Sequence, residues 1–596
     1  MPLMPNAGTS PSVQPILFRG TALFGTFLLS LLGGYLFVRF TGIGGLTALD
    51  LVRAALVVVS GFWLLWGAVA ALIGVVTPSA GQPALSRVKP VGLTAILVPI
   101  YNEDPVPTFS RIAAMNRSLC ALGLEDRFHI AVLSDTTSME VAAQEAVWFQ
   151  RLITEPGGEG RIFYRRREQN IGKKAGNVED FISRSGGAYD YALILDADSL
   201  MEGATIAEMA RRMDADTELG LLQTVPRIIN ARTLFGRCMQ FSSNYLSPSF
   251  ARGAATMQGY EGPDWGHNAI LRVGAFAANC GLPVLTGKPP YGGHILSHDY
   301  VEAALLARAG WKVHVDPALE GSYEEGPENL IEYAKRDRRW CQGNMQHRRL
   351  VMAPGLRFWS RFTFVQGIMA YFAAPLWLAL LFASILAAIL PEQAPLLVGF
   401  PDTDISIWTL GVAVLAVLIL PKLLIFIRGM FDGHNRASGG NAVALASIIG
   451  EIVFSTIIAP AMLLLQIRAV AQVLLGLDGG WPATSRSQGF VALRDAFAAT
   501  WWIVAFGLLA LGITAALAPA ILIWVAPTML PAVLAPLLIT ASSCIWSALQ
   551  GWVFVTPAER APSPVLVEYR AIMERWTSAE LPGDMIDIGS ATNVAA

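Results

Sequence analysis

The chain has 596 residues, enough for several domains, and its formal net charge of −2 gives no electrostatic case for a nucleic-acid partner. Hydrophobic residues make up 54% and charged residues only 15%, where a soluble protein averages roughly 25% charged. The deficit lies in long uncharged runs at the two ends, which marks an integral membrane protein with a soluble middle.

Residues 1–15 are polar and Pro-rich and are expected to be disordered. An apolar run at 16–40, broken by Arg19 and Arg39, is long enough to cross a hydrocarbon core as a helix; it shows no small-residue cleavage site and reads as a retained span. A second span is expected at 54–76, so that residues 16–77 cross twice and return the chain to its starting side. Between 86 and 350 short β-rich runs alternate with amphipathic stretches, the pattern of an α/β domain with a mostly parallel sheet. Strands are expected at 94–98, 129–133, 161–164, 191–195 and 219–224, with helices at 106–122 and 139–153. The scattered cysteines Cys120, Cys238, Cys280, Cys341 and Cys544 form no CxxC pair. Their pattern argues against a disulfide framework or zinc site and agrees with a reduced, cytoplasmic middle.

Apolar runs return at 365–390, 405–427, 442–477, 500–524 and 529–553, giving a membrane bundle of four to six helices over 355–555. The 442–477 run contains Glu451 and Arg468. It forms either a tight hairpin near Pro460, for eight spans in all, or an interfacial helix, for six. Arginines gather before the first of these runs and around 428–436, while 391–404 has none; by the positive-inside rule the α/β domain, the 478–498 segment and the 556–596 tail are cytoplasmic.

The chemistry centres on the strand at 191–195, which runs into Asp196-Ala197-Asp198. Residues two apart in an extended segment point the same way, so two carboxylates converge at a strand's C-terminal end, where open α/β sheets bind ligands. Together they suit a hard divalent ion such as Mg²⁺ or Mn²⁺ shared with substrate phosphates; alternatively one caps the next helix and the other is solvated. Tyr101-Asn102-Glu103 follows the first strand, and Asp135 ends the second, where a carboxylate can accept hydrogen bonds from a base or ribose, or simply serve a turn. In the 170–177 loop Gly172 and Gly176 allow close backbone approach and Lys173 and Lys174 offer charge to a diphosphate, without Walker spacing. Asp299 stands at the start of a helical stretch, as a general base or as an N-cap. Lys335-Arg336-Asp337-Arg338-Arg339-Trp340 sets basic residues, suited to phosphate or to anionic lipid, beside an indole face that can stack on a sugar.

The order PIYNE, SD, GKKAGN, DAD, an aspartate before a helix, then RxxRW ahead of a bundle of spans resembles the processive family-2 glycosyltransferases, which include cellulose and hyaluronan synthases. Where cellulose synthases carry TED this chain has Ser297-His298-Asp299, and Arg336 stands where they carry Gln. Those variants resemble the branch that makes osmoregulated periplasmic glucans. The resemblance implies a cytoplasmic GT-A domain inserted between transmembrane helices, that is, α/β plus membrane all-α, in a bacterial inner membrane. It implies UDP-glucose as donor, a growing β-1,2-glucan as acceptor, and Mg²⁺ or Mn²⁺ as cofactor. Tyr101, Glu103 and Asp135 would hold the uridine, Lys173 or Lys174 the diphosphate, Asp196 and Asp198 the metal, and Asp299 would be the base. Arg336 and Arg339 would steady the departing diphosphate and Trp340 would floor the acceptor sugar. Trp265, His267 and Asn268 would line the acceptor site, and the region of Trp481 would be a gating loop. Membrane lipids, acyl carrier protein and periplasmic glucan-modifying proteins complete the implied partners. Three rivals stay open: a synthase of other linkage, a transferase onto a lipid phosphate, and a transporter whose soluble domain senses a nucleotide sugar.

Overall fold

A computed structural model describes residues 13–578, apart from 44, 79–87, 391–393, 401–404, 478–488 and 548–550. The soluble middle is built on a seven-stranded sheet of β1 (Thr94–Ile100), β2 (Phe128–Ser134), β3 (Ile162–Arg166), β4 (Tyr191–Ile194), β6 (Leu219–Gln223), β8 (Ala269–Arg272) and β9 (Lys312–Val315). Their order is β3-β2-β1-β4-β8-β6-β9. The sheet is parallel except for β8, which runs against both β4 and β6. A second sheet of three strands joins β5 (Leu200–Met201), β10 (Ser322–Glu325) and β7 (Arg227–Ile229).

The central strands are apolar at nearly every position because both faces are covered. In β1, Ile96, Val98 and Ile100 enter one core, while Ala95 and Leu97 enter the other, as the period of two requires. The helix Pro105–Cys120 starts where Asp104 accepts from the Val106 amide, and Met139–Ile153 where Ser138 accepts from the Val141 amide. The first core is closed by a helix at the far end of the chain, Pro564–Ser578, whose Leu566, Tyr569, Ile572 and Trp576 are buried in it.

Six helices among the described residues are long and apolar enough to cross a membrane, or seven if a bent pair counts as one more. Val13–Thr41 begins inside the stretch expected to be disordered; residues 1–12 lie outside the described residues. It leaves the domain at an Arg19–Glu261 ion pair of 2.5 Å, and Ala48–Val76 returns. The returning helix crosses Ser247–Gln258 backbone to backbone: a Cβ on Gly74 would lie 1.7 Å from the Ser249 carbonyl oxygen, and one on Gly253 1.8 Å from that of Ala70. Phe358–Ile389 and Ile407–Asp432 form a second pair, tied to the first at its far end by bridges Ile43–Phe400 and Leu46–Leu397. The third pair is Leu493–Leu517 with a helix bent by 56° between Val533 and Ala535. The straight span expected at 529–553 is not formed. Pro527, Pro531 and Pro536 interrupt the hydrogen-bond ladder there, and by Cys544, whose carbonyl accepts from the Leu234 amide at 3.1 Å, the chain is back at the domain.

Asn441–Leu474 is one helix through Pro460, and the hairpin alternative is not formed. Its start meets Asn435, and its middle packs Ile458, Ala461 and Leu464 against Phe235 and Leu330 of the domain side. Its end receives the Arg338 guanidinium at Gln472 (2.7 Å) and at the Leu477 carbonyl (3.0 Å). Both ends and the middle touch domain-side elements, so the helix lies lengthwise beneath the domain.

Candidate active site

β4 delivers Asp196 and Asp198 to the C-terminal edge of the sheet. The loop is tight: the Asp196 amide donates to Ser199 Oγ at 2.9 Å, and Asp198 is buried. Lys174 reaches the loop from a turn in which Gly172 (φ 72°) and Lys173 (φ 54°) adopt left-handed backbone. It pairs with Asp196 and donates to the Gly266 carbonyl at 2.6 Å. Lys173 points outward and is exposed. Behind the loop the buried Arg111 donates to the Ala197 carbonyl at 3.2 Å, pairs with Glu325 of β10 at 2.8 Å and lies over the Tyr569 ring at 5.3 Å.

On the nucleotide side, the loops after β1 and β2 are stitched together by Asn102, whose side-chain Oδ1 accepts from the Thr137 and Ser138 amides at 3.1 and 3.0 Å. Glu103 folds back to accept from the Tyr101 amide. Asp135 is buried beneath them and fully engaged: Arg167 grips both its oxygens at 2.7 Å, and Asn177 donates at 2.9 Å. The structure therefore makes Asp135 the anchor of Arg167, a residue the sequence reading passed over.

Asp299 sits in the first turn of helix His298–Arg308, not at its cap; Ser297 occupies that position without a side-chain bond. It is walled by the 264–268 turn, where Gly266 has φ 83° and a Cβ on it would stand 3.2 Å from Asp299. The Gly266 amide donates to Asp264 at 2.9 Å. Burial first, and then the charge of Asp299, pushes the Asp264 carboxyl up to about 7. Burial also raises the Asp299 pKa, opposed by His298 and Lys174 and assisted by Glu302. A carboxylate held up in this way is a stronger base than one in water.

Arg336 and Trp340 share a face of helix Leu330–Gln346, the guanidinium 4.4 Å over the indole, which stays 43% exposed. Arg336 lies 3.8 Å from Glu324 of β10, which also meets His267 at 3.6 Å. Burial raises the Glu324 pKa; the charges of Asp198 and Asp196 add to this, against His267 and Arg336. Asp196, Asp198, Glu324, His267 and Arg336 thus form one electrostatic group. Trp265 is half-buried, and its side chain pairs with Tyr300 behind Asp299. Asn268 is buried behind the site instead, with its amide on Ser322 Oγ at 2.7 Å. Arg339 is on the same helix as Arg336. Trp481 and most of the expected gating loop lie outside the described residues.

Related sequences show the family. Residues 95–279 match the model of glycosyl transferase family 2, and 191–421 that of glycosyl transferase family group 2. A glucans biosynthesis glucosyltransferase H of Cereibacter sphaeroides is 50% identical over 92% of this chain and 93% of its own. The chain belongs to the glucans biosynthesis glucosyltransferase H family. Proteins of that name from Rhodopseudomonas palustris and Shewanella oneidensis are 39% and 38% identical, over 92% and 94% of this chain and 79% and 80% of theirs. The α/β domain of this family member is accordingly a GT-A glycosyltransferase fold. Among solved structures, a mannosyltransferase from Pyrobaculum calidifontis in complex with GDP-Man and Mn²⁺ overlaps 72% of this chain and 99% of its own, at a TM-score of 0.44 and 14% identity. That likeness is too slight to carry an argument.

Four residues of the site were not singled out in the sequence: Arg111, Arg167, Asp264 and Glu324. Glu324 and Glu325 had a signal, since adjacent carboxylates in a strand-like run, SYEE, put one on each face. Arg111 had none, being one arginine in an amphipathic helix.

Proposed function

We propose that the chain is an inverting glucosyltransferase that polymerises glucose from UDP-glucose into a β-1,2-linked glucan, the backbone of osmoregulated periplasmic glucans. The observation that carries the reading is the continuous link from Asp196 through Lys174 and the Gly266 carbonyl to the turn that walls Asp299. A donor-side carboxylate and a base candidate are thereby tied to one turn. The family names supply the glucan product and the glucosyl donor; the linkage and the uridine nucleotide come from the resemblance of the motifs.

The site suits a divalent cation. Asp196, Asp198 and Glu324 collect negative charge that raises the Glu324 pKa, and Lys174 sets an ammonium against Asp196. No group of three or more metal-binding side chains forms among the described residues. Asp196 and Asp198 would therefore hold Mg²⁺ or Mn²⁺ together with diphosphate oxygens and water, in the manner of ions bound by few protein ligands. Bound there, the ion offsets charge on the departing UDP.

The other steps belong to side chains. Asp299 takes the proton of the acceptor hydroxyl as the oxygen bonds to the anomeric carbon and the bond to UDP breaks on the opposite face, which turns an α-linked donor into a β-glucoside. Arg336 and Arg339 meet the diphosphate as its charge develops. Trp340, exposed on the same helix, takes the acceptor's terminal sugar, with Trp265 and His267 beside it. Tyr101 and Glu103 face the uridine, while Asp135 serves it through Arg167.

The α/β domain is placed in the cytoplasm of a bacterium, beneath the inner membrane, since Arg348, Arg349, Arg357 and Arg361 cluster where the second helix pair begins. Six crossings in three out-and-back pairs, with Asn441–Leu474 along the interface, keep the C-terminal helix on the domain's side. Export through the bundle accompanies synthesis, because a hydroxyl-rich chain does not cross bare hydrocarbon cheaply. Acyl carrier protein and periplasmic glucan-modifying proteins remain proposed partners from the family resemblance alone.

The test is glucose incorporation by purified protein with radiolabelled UDP-glucose and Mg²⁺, beside Asp299→Asn, with linkage-specific digestion. Polymer from the parent that a β-1,2-glucanase degrades, and none from the variant, is the expected result. A chloroform-soluble product would point to transfer onto a lipid phosphate, and binding without turnover to a sensor.

A further inference from the structure

A cavity of about 650 Å³ opens away from the candidate active site, at the corner where the membrane helices meet the domain. Its walls are the end of helix Ala48–Val76, the helix Ser247–Gln258, the domain end of Ile407–Asp432 and the segment 314–320. Three arginines line it: Arg227, Arg252 and Arg428.

Arg428 is fully used. It donates to the carbonyls of Gly74 (3.0 Å), Val75 and Thr77 (2.8 Å), and pairs with Asp432 at 3.3 Å. Among the described residues the Arg252 side chain donates one hydrogen bond, to the Gly74 carbonyl at 3.1 Å, and Arg227 one, to the Ser243 carbonyl at 3.2 Å. Neither forms an ion pair among the described residues. The carboxylates in the lining do not supply one: Asp316 is taken by Arg212, Asp432 by Arg428, and Glu320 acts on Arg227 through its charge without an ion pair between them. Residues 79–87, which follow the first helix pair, contain no Asp or Glu.

Both guanidiniums are below their ordinary pKa. Burial is the first cause in each; for Arg227 the charge of Glu320 opposes it and Arg252 adds repulsion, and for Arg252 the repulsion comes from Arg428, opposed by Asp432. Half-buried positive charge that no ion pair offsets is costly, and each guanidinium has five donors in a fork that matches phosphate oxygens. The cavity also lies at the level where two apolar helices end, with Ile425 and Ala255 in its wall.

We propose that this cavity is a seat for a phosphate-bearing anion, gripped by Arg227 and Arg252, and that its occupant is the headgroup of a phospholipid. The seat is separate from the proposed reaction and rests only on the membrane-spanning reading of the helices. A bound headgroup here pins the domain to the bundle at the crossing of Gly74 and Gly253.

The experiment uses full-length protein purified in an uncharged maltoside detergent and stripped of lipid. Phosphatidylglycerol, diacylglycerol with the same acyl chains, and inorganic phosphate are added separately, with binding followed by native mass spectrometry and by melting. The expected result is one phosphatidylglycerol bound per chain with a raised Tm, no such effect of diacylglycerol, and affinity about 10-fold or more weaker in Arg252→Gln and in Arg227→Gln, as for loss of one charge-assisted contact. Arg252→Lys, which keeps the charge, should recover part of the affinity, and this guards against a variant that merely folds poorly. If inorganic phosphate alone raises Tm and displaces the lipid, the phosphate chemistry stands and the lipid source falls. Equal binding of diacylglycerol, or full phosphatidylglycerol affinity in both glutamine variants, overturns the proposal.

Discussion

Asp299 draws its basicity from its surroundings. Buried beside Asp264 and Glu302, it has a pKa above the ordinary carboxylate value. A base is active when ionised, so kcat/KM should fall as pH drops through that raised pKa, and the acid limb should stand above the usual carboxylate range. His298→Gln removes the positive charge that most opposes this rise and should move that limb to higher pH, which a pH–rate profile would record. Asp299→Asn should cut turnover by about 10²–10⁴-fold while leaving nucleotide binding in place. Arg167→Ala is expected to destabilise the fold by about 3–5 kcal/mol, because it leaves the Asp135 carboxylate buried without its partner; denaturant titration would measure it. A loss under 1 kcal/mol would mean that Asn177 alone satisfies Asp135.

At the scale of elements, two segments hold the site in shape. The 264–268 turn touches Asp299, and through the Gly266 carbonyl it also touches Lys174. Gly266→Ala meets left-handed backbone at φ 83° and a Cβ at 3.2 Å from Asp299. It should lower kcat strongly with little change in donor KM. The reverse pattern, a raised KM with kcat intact, would detach the turn from the base. The C-terminal helix Pro564–Ser578 acts from the other side. Its Trp576 stacks near Trp148 at 5.2 Å, and its Tyr569 lies against Arg111, which holds the Ala197 carbonyl. Trp576→Ala should cost about 3–5 kcal/mol as a large core truncation. Tyr569→Leu preserves most of the apolar volume but frees Arg111, and should raise donor KM more than it lowers kcat.

The whole molecule is an α/β domain seated on three helix pairs, with one long helix lying between. The contacts that define this arrangement are the far-end bridges Ile43–Phe400 and Leu46–Leu397, and the return of the chain at Cys544, whose carbonyl accepts from the Leu234 amide. A cysteine at Val398, 95% exposed at the far end, should react with an impermeant maleimide in intact cells. One at Phe431, 84% exposed at the domain end, should react only after permeabilisation. Labelling of both from one side would rule out the out-and-back pairs.

Composition and local pattern were enough for the plan of this protein: two apolar spans, an α/β domain, then a bundle. The five strands read from the sequence lie within two residues of their places, because strands covered on both faces are nearly continuous apolar runs bounded by turns. Asp196, Asp198, Lys174 and Asp299 could be named as candidates because strand and helix ends leave short, dense motifs, and the fold gathers them about one turn. What tertiary structure decided was pairing at long range. Asp135 met Arg167 by the alignment of β2 and β3, Asn268 turned inward to Ser322, and Glu324 entered the site on a strand of the smaller sheet. The C-terminal helix reads as a charged tail until Trp148 is found against it. Hydropathy likewise cannot separate a helix that crosses a bilayer from one that lies along a protein face, since both bury apolar surface. Asn441–Leu474 is itself apolar enough to cross, and what the tertiary structure adds is its contacts with Asn435, Phe235 and Arg338 at its start, middle and end.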